Sequence, residues 1–251
     1  MKETILLILL IFLNLTSFSQ KKQESTIYLN ENFDKITYKK FKEKLNSHFF
    51  ARTWAEKEGK KIIKLRYLDY YGKLGSLKKS QLNKLYYQKF KLDTTKVWLI
   101  HYIDTLPKVN PNGSIKLTKH NKRLKHLVLG RNDPDKTYSV KSKSLKKAAS
   151  KQKKYYNIKG NHFNFLYFYN IDKGFGKFDK TLFLKDYNQI LKKSFSDGLV
   201  TFETIIIHPD GQFYMSWHPL YKKDEIKLTN YKYYEKEKIK WLNNFNKYSS
   251  K

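Results

Sequence analysis

The chain of 251 residues contains no cysteine. That absence excludes a disulfide framework, a thiolate nucleophile, a CxxC redox pair and cysteine metal ligands. It also excludes a lipid-modified cysteine near the amino terminus. Arginine is scarce as well: 4 Arg stand against 48 Lys. Lysine lacks the planar fork with which arginine holds phosphate in pairs, so this cation set favours general attraction over specific grip. Acids are few, with 22 Asp and Glu against 52 Lys and Arg, for a formal net charge of +30. Long apolar runs are missing except for Ile5 to Leu13, which is unbroken Ile, Leu and Phe. A bilayer-spanning helix needs about 20 apolar residues, roughly twice that run.

The run instead reads as the core of a secretory signal. Lys2 supplies the positive start, and Ser17-Phe18-Ser19 offers small residues where a signal peptidase cuts. The expectation is therefore a signal peptide over residues 1–19 and an exported, periplasmic or extracellular protein with no transmembrane segment in its mature chain. The remaining length, about 230 residues, suffices for a stable core without covalent staples. With 40% hydrophobic residues and abundant Tyr and Phe, the apolar material for that core is present.

The positive charge is uneven. From Thr105 to Ile171 the sequence carries 16 Lys and Arg against two acids, Asp133 and Asp135. Lys141 to Lys159 holds eight lysines and no acid. Lys141, Lys143, Lys146, Lys147, Lys151, Lys153 and Lys154 are the candidate contacts for a polyanion or an anionic envelope surface. Against this stands a compositional account: Lys, Asn, Ile, Tyr and Phe are all over-used, as an AT-rich coding background would produce.

Periodicity divides the mature chain into a small α+β part over 20–92 and an α/β part over 93–251, the latter with a basic insertion around 105–160. In the first part Thr37 caps a helix with Tyr38, Phe41 and Leu45 on one face. Strands at Phe49–Trp54 and Lys61–Leu68 form a hairpin around Gly59, and Ser76 or Ser80 opens a helix with Leu77, Leu82, Leu85 and Tyr86 inward. In the second part, strands are expected at Val97–Ile103, Phe163–Tyr169, Phe202–Ile207 and Gln212–Trp217. Helices are expected at about 140–154, from Asp179 to 195, and from 231 to 245. The continuous apolar character of the first strands suits a sheet covered on both faces. The fold class is α/β (or α+β): a central mixed sheet flanked by helices, in the order βαβαββα.

That order over Lys96–Phe245 resembles the thioredoxin-like fold, in which a hairpin and a last helix complete the sheet. The family's redox residues are missing. The first strand ends Ile103-Asp104-Thr105-Leu106-Pro107 with no cysteine pair, and Asp197-Gly198-Leu199-Val200-Thr201 lacks the family's cis-proline. The resemblance implies a scaffold without its chemistry.

His208-Pro209-Asp210-Gly211 reads as a type I turn with Gly211 at a positive-φ bulge. That register pairs Ile207 with Phe213, Ile205 with Met215 and Glu203 with Trp217. It also sets His208 and His218 roughly 20 Å apart, too far to share an ion, so no metal site and no cofactor is expected. His101, inside a strand, reads as a packed histidine. Asp104 and Asp172 each follow an apolar strand, and the carboxyl ends of strands are where ligand sites gather in open parallel sheets. With Glu203 they are the candidate catalytic carboxylates; the alternative is that each simply starts a turn. The aromatic–lysine segments Lys153-Lys154-Tyr155-Tyr156 and Tyr231-Lys232-Tyr233-Tyr234 could stack bases or sugars, or pack as ordinary helix surface. Three function classes follow: a non-catalytic binding or accessory protein acting on a polyanion or a protein partner, a hydrolase-like envelope enzyme, and a redox scaffold that has lost its activity.

Overall fold

The computed structural model describes residues 26–118, 121–130, 136–175, 182–195 and 202–249. The expected signal peptide, the helix start at Asp179 and the Asp197–Thr201 segment lie outside the described residues. Two compact units meet in sequence between Arg66 and Tyr67.

The first unit contains β1 (Ile27–Leu29), α1 (Tyr38–Asn46), β2 (Phe50–Lys57) and β3 (Lys60–Tyr67). Its three-stranded sheet has the order β1-β3-β2, with β1 parallel to β3. Thr37 caps α1 as expected, its hydroxyl accepting from the Lys40 amide at 3.3 Å. The β2–β3 hairpin turns at Glu58 and Gly59, both at positive φ. Phe41 is buried, but Tyr38 from the same expected face is 58% exposed.

The second unit begins with β4 (Asp69–Lys73) and α2 (Ser76–Phe90), followed by β5 (Val97–Leu106), β6 (Ser114–Leu117), α3 (Lys122–Leu129), β7 (Tyr138–Lys141) and α4 (Ser142–Lys159). Then come β8 (Phe163–Asp172), β9 (Phe183–Lys185), a 3-10 turn leading into α5 (Ile190–Phe195), β10 (Thr204–Ile207), β11 (Gln212–Ser216), α6 (Lys222–Leu228) and α7 (Tyr231–Ser249). A six-stranded mixed sheet runs β4-β11-β10-β5-β8-β9, and β6 and β7 form a separate pair. β5, β8 and β9 are parallel; β10, β11 and β4 are each antiparallel to their neighbours. The fold class is α/β, as read from the sequence.

Pleat alternation gives this sheet two apolar faces. Leu99, Ile103, Phe165, Tyr167, Ile206 and Tyr214 pack against Leu124 of α3, Leu145 and Tyr156 of α4, Leu228 of α6 and Tyr234 of α7. Their neighbours along the strands, Trp98, Ile100, Phe168, Ile205 and Met215, pack against Leu82 and Tyr86 of α2 and Leu191 and Phe195 of α5. Each such side chain removed from water contributes about 1.5–3 kcal/mol.

Some expectations are corrected. The boundary between units lies well before residue 92, because β4 pairs with β11 (Tyr71 opposite Tyr214) and so carries 67–92 into the larger sheet. Leu77 is 71% exposed, since α2 turns its Leu82–Tyr86 side inward. The described residues of the basic insertion include β6, α3 and β7, and its helix α4 runs on past 154 to Lys159. The segment before Phe195 contains β9 and a 3-10 turn, and a further helix, α6, precedes the last.

The hairpin register is the one read from the turn: Ile207 faces Phe213 and Ile205 faces Met215. Gly211 has φ +89°, and the turn closes with the Gly211 amide donating to the His208 carbonyl at 2.9 Å. Gly160, which ends α4, is needed for another reason. A Cβ there would lie 1.9 Å from the buried Phe163 ring.

Candidate functional site

Helix α4 puts the basic segment in order. Ser142, Leu145, Ala149, Gln152 and Tyr156 are buried. At 100° per residue the opposite stripe carries Lys143, Lys147, Lys151 and Lys154, all exposed, and then Ile158, 69% exposed. Lys146 and Lys153 sit lower on one flank and are half-buried, and Lys141, just before the helix, is exposed. The outward row spans about 17 Å along the axis at 1.5 Å per residue. The helix contains no acid, and among the described residues Lys143, Lys147, Lys151 and Lys154 form no ion pair.

Such a row works against the helix. Like charges at i,i+4 cost about 0.2–0.5 kcal/mol per pair, and Lys143–Lys147 and Lys147–Lys151 are such pairs. Its first turn has no acid either, so the positive end of the helix dipole meets more positive charge. An anion lying along the row would relieve both.

Beneath the same helix lies an enclosed polar network that sequence reading did not find. Glu225 of α6 is fully buried. It accepts hydrogen bonds from His101 Nε2 at 2.9 Å, from Thr204 Oγ1 at 3.1 Å and from the Tyr156 hydroxyl. Arg123 Nη2 lies 3.8 Å from the same carboxylate. That guanidinium donates to the Glu203 carbonyl at 2.9 Å and to Thr204 Oγ1, and its Nε lies 3.4 Å from Glu203 Oε2. Burial, reinforced by the Arg123 charge, pushes His101 down to about 4. Burial opposes the charge on Glu225, but His101, Arg123 and Tyr156 outweigh it and hold the carboxyl down to about 2. Near neutral pH the pair is therefore a neutral imidazole donating Nε2–H to a carboxylate. The His101 ring is wedged edge-on against Phe165, at 4.8 Å, and its Nδ1 has no hydrogen-bond partner among the described residues. With no exposed surface on His101 or Glu225, this network joins elements of the fold.

The strand-end carboxylates are each engaged. Asp104 accepts from Lys192 Nζ at 2.8 Å and from Asn170 Nδ2 at 3.4 Å. Asp172 accepts from the amides of Gly174 and Phe175 at 2.8 and 2.7 Å, the turn-forming role. Glu203 joins Arg123 instead, on the face occupied by α3, while Asp104 pairs with α5. The structure thus brings Asp104 and Asp172 to the same end of adjacent strands and directs Glu203 elsewhere. His208 donates Nε2–H to the Leu228 carbonyl at 3.2 Å, whereas His218 Nδ1 lies 3.0 Å from Ser216 Oγ. Tyr156 and Tyr234 are buried and unavailable for stacking; Tyr155 and Tyr233 are half-buried, with Lys222 and Lys227 of α6 over their rings at 5.1 and 5.7 Å.

A second buried carboxylate, Asp186, was also missed. It accepts from Tyr86 and Tyr102 hydroxyls at 3.1 and 3.0 Å and from the amides of Leu191 and Lys192 at 3.0 Å. It ties α2 and β5 to the start of α5. An Asp ahead of the Ile190–Phe195 run was the available signal.

No family model, no curated protein and no solved structure matches the chain. Among the described residues no helix is long and apolar enough to cross a membrane.

Proposed function

We propose that the protein is an exported, non-catalytic binding protein that takes a polyanion on the outer face of α4. The observation that carries this reading is the row Lys143, Lys147, Lys151 and Lys154, set opposite the buried stripe of one helix and free of acids. The thioredoxin-like resemblance belongs to the same proposal as scaffold alone. The parallel pair β5–β8, the hairpin β10–β11 beside β5 and the closing helix support it. The strand-end carboxylates support a turn and an ion pair better than acid–base work, because each already has its partner.

Binding of the purified protein to heparin, duplex DNA and anionic vesicles, titrated across salt, tests the reading. Replacing all four lysines by glutamine is expected to lower the slope of log affinity against log salt by about three to four on DNA. An unchanged slope would remove α4 from the binding surface. Export is tested separately by amino-terminal sequencing of protein recovered outside the cytoplasm: cleavage after Ser19 leaves Gln20 first, and an intact Met1 would refute it.

A further inference from the structure

The outer stripe of α4 does not end in charge. One turn past Lys154 it presents Ile158, 69% exposed. Tyr155, on the α6 flank, is half-buried beneath Lys222. We infer that α4 docks lengthwise on an anionic lipid surface, its four outward lysines on headgroup phosphates and Ile158 entering the acyl boundary. This rests on the polyanion-binding reading above and names the occupant of the same face.

The shape and the residue types favour lipid over nucleic acid. A lysine row on the outward ridge of a helix meets a plane along its whole length. Lysine stems are apolar and their heads charged, so they can lie along a headgroup layer while Ile158 goes deeper. The row has no arginine to fork onto a base edge. It has no aromatic ring on the outward stripe to stack on a base, since Tyr156 is fully buried and Tyr155 lies to the side. Attraction between the row and a leaflet falls off within about 10 Å at 0.1 M salt, so the helix must lie on the surface to profit from it.

The test is co-sedimentation of the full protein with phosphatidylcholine vesicles, with and without about 30 mole per cent phosphatidylglycerol, with heparin and duplex DNA as lipid-free polyanions. Of the two kinds of vesicle, only the anionic one is expected to be bound. Lys147→Gln should lower partitioning about fivefold and weaken heparin binding too. Ile158→Ser should lower vesicle partitioning roughly tenfold while heparin binding stays unchanged, and Ile158→Leu should restore it. Both positions are on the surface, and retained heparin binding shows that the Ile158 variants are folded. If Ile158→Ser binds vesicles like the parent, or if DNA holds to higher salt than vesicles do, the lipid assignment is overturned and the polyanion reading stands. If lysine replacement moves neither heparin nor vesicles, both fall.

Discussion

The two faces of α4 treat charge in opposite ways. Inward, Tyr156 donates to Glu225 and Gln152 accepts from Tyr167, so the helix joins a network in which His101, Arg123 and Thr204 surround the buried carboxylate. Outward, four lysines follow one another with no anion among the described residues. Helix α7 shows that an exposed stripe in this chain need not look so. There Glu235 pairs with Lys238 at 3.3 Å and Glu237 with Lys240 at 2.7 Å. The inner face of α4 satisfies the fold. The outer face does nothing for it, and a local conflict without a structural return is where a ligand is sought.

The contrast can be broken from the inside first. Glu225→Ala removes the shared acceptor and leaves Arg123 with a buried charge short of its partner. The expected loss is about 3–5 kcal/mol, which urea unfolding would read. A loss under about 1 kcal/mol would mean that the network is dispensable.

Acid should act on the same place. The folded-state pKa of His101 is depressed from 6.5 to about 4, and that of Glu225 from 4.5 to about 2. In both cases the unfolded chain binds protons more readily, so stability is complete above the ordinary pKa and is lost as pH falls. Stability should be level above pH 7 and fall from about 6.5 towards 4, by an amount on the order of 3 kcal/mol. His126 and His208, whose pKa values are also lowered by burial, add in the same direction. His101→Phe should flatten most of the decline in the upper part of that window, and a parent protein equally stable at pH 4.5 and 7 would contradict the assignment.

The outer face is sharpened by the smallest change. Lys147→Glu creates opposite-charge pairs with Lys143 and Lys151, and should stabilise the protein by about 0.5–1 kcal/mol while weakening binding to every polyanion. If it destabilises the protein instead, the row is part of the fold after all.

How much of this was legible depends on distance along the chain. The β10–β11 register could be read because its information is local: four turn residues and an alternation of Ile, Phe and Met. The lysine segment could be read as charge, but only the phase of α4 separates the outward Lys143, Lys147, Lys151 and Lys154 from the flank positions Lys146 and Lys153. The network could not be read. His101 and Glu225 are separated by 124 residues and Arg123 and Glu203 by 80, and no local pattern announces such a meeting. Arg123 was further obscured by its basic surroundings, where a buried cation looks like any other. The division between units was misjudged for the same reason, since the partner of β4 lies some 140 residues downstream in β11.

That last pairing bears on how the chain reaches its native state. β4 is the first strand of the large sheet to leave the ribosome, yet its neighbour β11 is the last. Until residues 212–216 arrive, β4 presents unpaired amides and carbonyls, and the sheet has a nascent edge open to wrong partners. Loop closure over such a span is slow, so refolding should be governed by sequence separation more than by helix formation. A chain cut short before Gln212 would leave β4 with nothing to pair against, however complete its first two hundred residues.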